Sequence, residues 1–416
     1  MEHLIHKYLK KLEQQGLARS EKAVFLALDA ERVSNRPEDD EVRTLSKVFD
    51  LMNINSLLFA EPDEPYKSII AELLRGFEPS RAADGKIVPM DCETRTFFHD
   101  IPVVDDFSPE EIARALSRRK SVLVRDRGIV TYGVVTPEQA FVSFSSTCFS
   151  AFVKYFYDCL SYLEECADAA KEPDGTFLRQ FRRLLGYVDG SPLSSRLPLL
   201  ADAPPEDGDG IIRMLAEAGR AVVGYRLVDS FFGNISYIFN NNLYISQTGS
   251  SMDELECCID AVPLDGSSSV GITASSELSA HKIIYRETGH TAILHGHPKF
   301  PVIMSMHCLH EGCDRSLCHK TCKEKRYISG VPVVSGEIGT GPTGLMHTVP
   351  EAMREGKGAI VYGHGVFTSG SGSFRAPFSQ LLAIDAACRK EYLSLAGALL
   401  AKACRSRRES PERIRR

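Results

Sequence analysis

Apolar positions along this chain fall into two alternating kinds of run. One kind recurs every three or four residues and predicts amphipathic helices. Leu4, Tyr8 and Leu12 place one over 4–16, stopped by Gly16, and others follow over 41–51, from Pro62 and Pro65 to about 74, and over 109–118, 211–219 and 278–287. The other kind is short and unbroken and predicts buried strands at 23–28, 55–59, 121–124, 291–294 and 359–361. Past Thr136-Pro137 a longer apolar-periodic segment runs to about 170. The helix at 109–118 carries its own start signal in Ser108-Pro109-Glu110-Glu111, a hydroxyl placed to cap the first turn with proline at its first position. Helices alternating with short strands predict a layered α/β class.

Gly, Pro, Asp and Ser concentrate over 188–210, which predicts a linker between a first domain, 1–187, and a second, 211–403, with an arginine-rich tail at 404–416. A repeat supports this division. SVLVRDRGIVTYG at 121–133 lies without a gap over GAIVYGHGVFTSG at 358–370, Tyr155 lies over Tyr392, and Glu41 lies over Glu277. Phe59, Glu61 and Arg127 then stand where the second half has His295, His297 and His364. The first half therefore reads as a shortened, degenerate copy that keeps the apolar pattern and has lost the ligand chemistry.

That chemistry centres on 275–298. Glu277 opens the helix at 278–287, and the following strand delivers His295 and His297 two residues apart, so that both imidazoles leave the same face. His364 follows the strand at 359–361 in Tyr362-Gly363-His364-Gly365. Three imidazoles plus a carboxylate suit Zn²⁺ or another borderline divalent ion, and three protein ligands with an open position is a catalytic pattern.

Five short motifs extend the picture: Gly233-Asn234-Ile235-Ser236, Ser246-Gln247-Thr248-Gly249, Ser275-Ser276-Glu277, His295-Gly296-His297-Pro298 and Gly363-His364-Gly365. In this order they resemble the class II aldolase/adducin family. The resemblance implies α-β-α layers around a central, mostly antiparallel sheet, present here twice in tandem. It also implies Zn²⁺ on His295, His297 and His364, with Glu277 as acid/base or metal-associated carboxylate. Asn234, Thr248, Gly249, Ser275 and Ser276 would make the substrate phosphate site, although Ser246 and Gln247 depart from the family pattern there. The activity implied is that of a zinc-dependent lyase, cleaving a small phosphorylated ketose through an enediolate. A dehydratase or epimerase with the same metal site and a non-catalytic adducin-like scaffold are the alternatives. Retention of all three histidines and Glu277 favours an enzyme. The resemblance further implies a ring of four domains, either a tetramer or two chains forming a pseudo-tetramer.

Composition narrows the setting. Of 416 residues 43% are apolar and 25% charged, ordinary for a globular protein. A net charge of −6 argues against a general binder of nucleic acid or anionic membrane. No secretory pattern follows Met1-Glu2-His3, and no apolar run approaches the ~18 residues of a membrane span, so a cytoplasmic location is expected. Twelve cysteines in that setting are thiols or metal ligands. Cys308, Cys313, Cys318 and Cys322, spaced C-x4-C-x4-C-x3-C in an insert over 306–323, make a candidate second Zn²⁺ site or iron–sulfur centre.

Overall fold

A computed structural model describes residues 1–76, 85–189, 200–229, 231–310, 312–322, 324–356 and 358–405. The chain divides into two compact units, Met1–Ser191 with Ala396–Arg416, and Pro192–Leu395.

In the first unit, α1 (Glu2–Gln14) leads into β1 (Val24–Leu28), β2 (Arg32–Ser34), α2 (Asp40–Leu51), β3 (Ser56–Ala60) and α3 (Tyr66–Arg75). Then come β4 (Lys86–Ile87), α4 (Cys92–Phe98), β5 (Ile101–Val104), α5 (Pro109–Leu116), β6 (Ser121–Val124), β7 (Gly128–Gly133), α6 (Pro137–Asp168) and α7 (Gly175–Asp189). The strands form one sheet in the order β2-β1-β3-β7-β6-β5-β4. Every neighbouring pair is antiparallel except β5 and β6, which are parallel. Parallel neighbours need a crossover, and α5 supplies it. Its start is capped as the sequence predicts, with the Glu111 N–H donating to Ser108 Oγ at 3.3 Å.

The second unit runs α8 (Gly208–Gly224), β8 (Asn234–Phe239), β9 (Asn242–Ser246), β10 (Ile259–Pro263), α9 (Leu278–Thr288), β11 (Ala292–Gly296) and α10 (Lys299–Met306). It continues with β12 (Arg326–Ile328), β13 (Val331–Val334), α11 (Leu345–Met353), β14 (Ala359–Val361), β15 (Gly365–Gly370) and α12 (Arg375–Arg405). The sheet order is β10-β9-β8-β11-β15-β14-β13-β12. Again one pair is parallel, β13 with β14, joined through α11. With β10 set aside, the two sheets correspond strand for strand in order and in the place of the parallel pair. The registers agree as well. Ser56 faces Gly133 and Phe59 faces Val130 in the first sheet, as Ala292 faces Gly370 and His295 faces Phe367 in the second.

Each sheet is covered on both faces. Val42, Leu45 and Val48 of α2 and Ile112 and Leu116 of α5 pack on Val24, Leu26, Leu57, Phe59, Val124 and Val130. Strand residues alternate in direction, so Thr131 points the other way, and its hydroxyl donates to the Ala140 carbonyl of α6 at 2.7 Å. In the second unit Ile284 and Tyr285 of α9 and Leu345, Val349 and Met353 of α11 cover Leu243, Ile245, Ile293, Val361 and Phe367. On its other face the Thr368 hydroxyl donates to the Pro377 carbonyl of α12 at 2.9 Å. The layered α/β class expected from the sequence is therefore present.

Several boundaries differ from the sequence reading. Residues 188–189 end α7 and 208–210 begin α8, so the linker is shorter than 188–210, and 190–199 lie outside the described residues. The helix α12 continues through 403 to Arg405, its part from Ala396 grouping with the first unit, while 406–416 lie outside the described residues. Among the described residues no helix is long and apolar enough to cross a membrane.

Candidate active site

His295 lies in β11, a strand buried along its whole length, and His297 follows one residue past the strand's end. His364 sits in the turn joining β14 to β15. Its N–H bonds to the Val361 carbonyl at 3.1 Å, and the preceding Gly363 N–H bonds to Ser305 Oγ of α10 at 2.8 Å. These elements bring the three imidazoles together, with candidate ligand atoms all within 4.8 Å of one another. The His295 and His297 Nε2 atoms are 2.9 Å apart. All three side chains are at most 2% exposed.

Packing fixes the rings. His295 stacks on Phe367 with centroids 3.9 Å apart, and Phe232 stacks on His297 at 5.5 Å. His295 Nδ1 lies 3.1 Å from the Val366 carbonyl. A carbonyl only accepts, so Nδ1 carries the proton and Nε2 presents its lone pair to the centre, the arrangement a metal ligand needs. Burial first, then neighbouring His295 and His364, push the His297 imidazole well below its ordinary pKa, which keeps it neutral. His297 Nδ1 is buried without a hydrogen-bond partner among the described residues. A buried set of three imidazoles whose ligand atoms close to within 4.8 Å fits a divalent ion of the zinc type.

Glu277 occupies the N-cap position of α9 and is 5% exposed. Its two carboxylate oxygens reach two different histidines, Oε2 lying 3.6 Å from His295 Nε2 and Oε1 3.6 Å from His364 Nε2. Asn234 Nδ2 donates to Oε2 at 2.7 Å, and the Glu277 N–H donates to Ser275 Oγ at 3.3 Å.

The residues expected to bind phosphate separate into two groups. Asn234 and Ser275 are buried, and the Asn234 amide is turned to the carboxylate, which makes it a holder of Glu277. Thr248, Gly249 and Ser276 are exposed. The turn carrying Thr248 and Gly249 is tied to the approach to α9, since Thr248 Oγ1 donates to the Ala274 carbonyl at 2.9 Å. Gly249 has φ +73, a left-handed conformation glycine adopts without a Cβ clash.

In the first unit the corresponding places hold an ion-pair set. Phe59 is core, Arg127 Nη2 bonds to Glu41 Oε1 at 2.9 Å, and Glu61 pairs with Lys67 at 2.6 Å.

The insert behaves differently from expectation. Cys308, Cys313, Cys318 and Cys322 of the insert are thiols. Cys318 is buried, and burial first, then Cys322, Cys308 and Cys313, push its thiol pKa up. His310 Nδ1 approaches Cys313 Sγ at 3.1 Å. Among the described residues, however, the histidine triad is the group whose ligand atoms close to 4.8 Å, and the four cysteines do not form such a set. A cleft of about 410 Å³ runs beside the insert, lined by Lys320, Cys322, Arg326 and Tyr327 among others, and none of the three histidines lines it.

Sequence reasoning missed Ser305, which holds the His364 turn, and Phe367, which stacks on His295. It also missed a buried polar group behind the site, Ser236, His281 and Tyr285. His281 and Tyr285 follow Glu277 at helical spacing, a signal that was available.

Residues 213–392 match the family profile of the Class II Aldolase and Adducin N-terminal domain. Among solved structures the chain is similar to an L-fuculose-1-phosphate aldolase from Thermus thermophilus, at 22% identity over 44% of this chain and 94% of that one, TM-score 0.36. It is also similar to a sugar-phosphate aldolase from Thermotoga maritima, at 17% identity over 45% and 95%, TM-score 0.33. A third is an L-fuculose 1-phosphate aldolase from Glaciozyma antarctica, at 12% over 49% and 91%, TM-score 0.33. No curated protein matches.

Proposed function

We propose, from the match of residues 213–392 to the class II aldolase and adducin family profile, that the second unit is a metal-dependent lyase acting on a small phosphorylated ketose. The observation that carries this reading is the convergence of His295, His297 and His364 with a carboxylate 3.6 Å from two of them. The histidines would hold a zinc-type ion, which when bound supplies an electrophilic centre for adjacent carbonyl and hydroxyl oxygens. Asn234 holds the Glu277 carboxylate in place. When the C–C bond breaks, the adjacent hydroxyl gives up its proton to solvent and becomes the aldehyde carbonyl, the electron pair of the bond stays on the ketone-bearing fragment as an enediolate, and Glu277, having taken a proton from solvent, returns it to the enediolate carbon. Thr248, Gly249, Ser275 and Ser276 would receive the phosphate through hydroxyls and turn amides.

Charge complementarity supports the reading. In the first unit Glu41 has two cationic partners, Arg127 at 2.9 Å and Arg36 at 3.2 Å. His364 stands in place of Arg127, so in the second unit the countercharge to Glu277 falls to a bound cation. The matching strand orders and registers support the first unit as a degenerate copy of the second, without ligands. Two chains then supply four domains, and sedimentation equilibrium is expected to give a dimer. A monomer retaining full activity would refute that assembly.

The test of the site is metal content. Protein purified without chelator is expected to carry about one divalent ion per chain and to lose it in His295→Ala. Ion remaining in that variant, and removed when Cys308, Cys313, Cys318 and Cys322 are replaced by serine, would belong to the insert. Wild-type protein that neither carries nor takes up an ion would end the lyase reading.

A further inference from the structure

Behind Glu277 lies a chain of buried polar groups that nothing in the proposed reaction yet uses. Ser236 Oγ is 2.6 Å from His281 Nδ1 and 2.7 Å from Tyr285 Oη. Ser236 and His281 are fully buried and Tyr285 is 5% exposed. On α9, residues 277, 281 and 285 are four apart and share one face, and on β8, residues 234 and 236 share one face. The helix and strand are therefore joined by two polar contacts in register, Asn234 with Glu277, and Ser236 with His281 and Tyr285.

Two placements of the hydrogens satisfy the contacts of Ser236. In the one that leaves His281 a donor, Tyr285 donates to Ser236 Oγ, Ser236 donates to His281 Nδ1, and the imidazole proton is on Nε2, an atom that is buried and has no partner among the described residues. A buried donor without an acceptor is costly and marks a function or a bound group. Burial pushes the His281 pKa down to about 3, with Glu277 opposing it, so the ring stays neutral.

The first unit supplies an internal control. By strand register Val24 faces Phe59 as Asn234 faces His295, so Val24 and Leu26 stand where Asn234 and Ser236 do. With Glu41 aligned to Glu277, Leu45 and Phe49 stand where His281 and Tyr285 do. Val24, Leu26 and Leu45 belong to the apolar cluster of that unit, and Phe49 packs against it. The same layered fold is thus built with hydrocarbon at every one of these places. The polar chain is absent where the histidines are absent and present where they are present.

We infer that Ser236, His281 and Tyr285 form a positioning relay for Glu277, in which His281, locked as the Nε2–H tautomer, orients the carboxylate through one ordered water. The inference deepens the proposed lyase reading and rests on it, but its first test does not need turnover. Ring ¹⁵N spectra of histidine-labelled protein, with His281 assigned by its loss in His281→Leu, are expected to show a single Nε2–H tautomer that becomes mixed in Ser236→Ala. A protonated ring or the Nδ1–H tautomer in wild type would overturn the relay, whether or not any sugar phosphate is cleaved.

The second test separates positioning from structure. The variant Ser236→Ala/His281→Leu/Tyr285→Phe introduces the apolar character of the first unit, with total volume nearly kept. It is expected to melt at or above wild type and to keep its ion, because a buried polar set is being replaced by hydrocarbon. Its kcat on phosphorylated ketoses is expected to fall about 10- to 100-fold with KM within about threefold, and His281→Gln, which retains an N–H near the Nε2 position, is expected to recover part of the loss. A variant that unfolds would make the relay structural, and one that turns over like wild type would make it idle. Either result overturns the inference.

Discussion

Glu277→Gln is expected to lower kcat about 10³-fold while leaving the metal content unchanged. Loss of a positioned proton carrier costs 10²–10⁴ in rate, and a thousandfold is about 4 kcal/mol of barrier. Glutamine keeps the shape, and its amide oxygen can still accept from Asn234 Nδ2, which lies 2.7 Å from Oε2. The three imidazoles keep their positions, since Phe367, Phe232 and the Val366 carbonyl fix His295 and His297 and the Val361 carbonyl anchors the His364 turn. Stability should move the other way. Glu277 is 5% exposed, and Asn234, the side chain that donates to it, carries no charge. Burying a carboxylate without a cation is unfavourable, so the metal-free variant is expected to melt at or above metal-free wild type. Thermal melts with and without chelator, beside kcat and KM on phosphorylated ketoses, give both signs. A joint fall in kcat and melting temperature would mark Glu277 as a structural residue, and an unchanged kcat would remove it from the chemistry.

Much of this arrangement was legible in the sequence because local patterns and tertiary demands agree there. The strand at 121–124 was bounded as the structure has it, and the buried run 291–294 placed His295 on a strand whose central position in the sheet makes it apolar on both faces. Partners that depend on tertiary contact were not legible. Ser305 in α10 reads as an ordinary small helical residue until Gly363 is seen donating to it. The hairpin between β8 and β9 was missed despite its signal. Asn240 and Asn241 have φ +46 and +62, a two-residue turn of the type asparagine favours between twisted strands. The insert shows the limit of a spacing argument. Cysteine spacing alone suggested a closed ligand set, but spacing fixes proximity along the chain and leaves the direction of each thiol open. Two large apolar side chains there, Leu309 and Leu317, are 70% and 47% exposed, and of the four thiols Cys318 alone is buried.

Gly365→Ala is expected to weaken metal binding at least ~100-fold and abolish turnover, although the change adds one methyl group. Gly365 opens β15, where that strand passes against the end of β11. A Cβ there would lie 2.5 Å from the Gly296 carbonyl oxygen, 2.8 Å from His295 Cε1 and 2.8 Å from His297 Cδ2. None of these can yield cheaply. The carbonyl belongs to the backbone of a central strand, His295 is held between Phe367 and the Val366 carbonyl, and His297 is backed by Phe232. Overpacking of this kind costs about 1–3 kcal/mol and is relieved by moving the rings, which takes two of three ligands off the common point. A hundredfold in affinity is about 2.8 kcal/mol, within reach of such a displacement. The first unit again provides the control. Gly128 holds the equivalent place, and a Cβ there would meet the Ala60 carbonyl oxygen at 2.4 Å, with no histidine beside it. Glycine is kept in both units because two backbones approach closely, and only in the second does that approach also seat imidazoles. Gly128→Ala is therefore expected to lower the melting temperature with metal affinity unchanged, while Gly365→Ala lowers both. Titration calorimetry with Zn²⁺ on the two metal-free variants decides the matter: equal affinities would mean that the rings accommodate the methyl group and that β15 does not set their position.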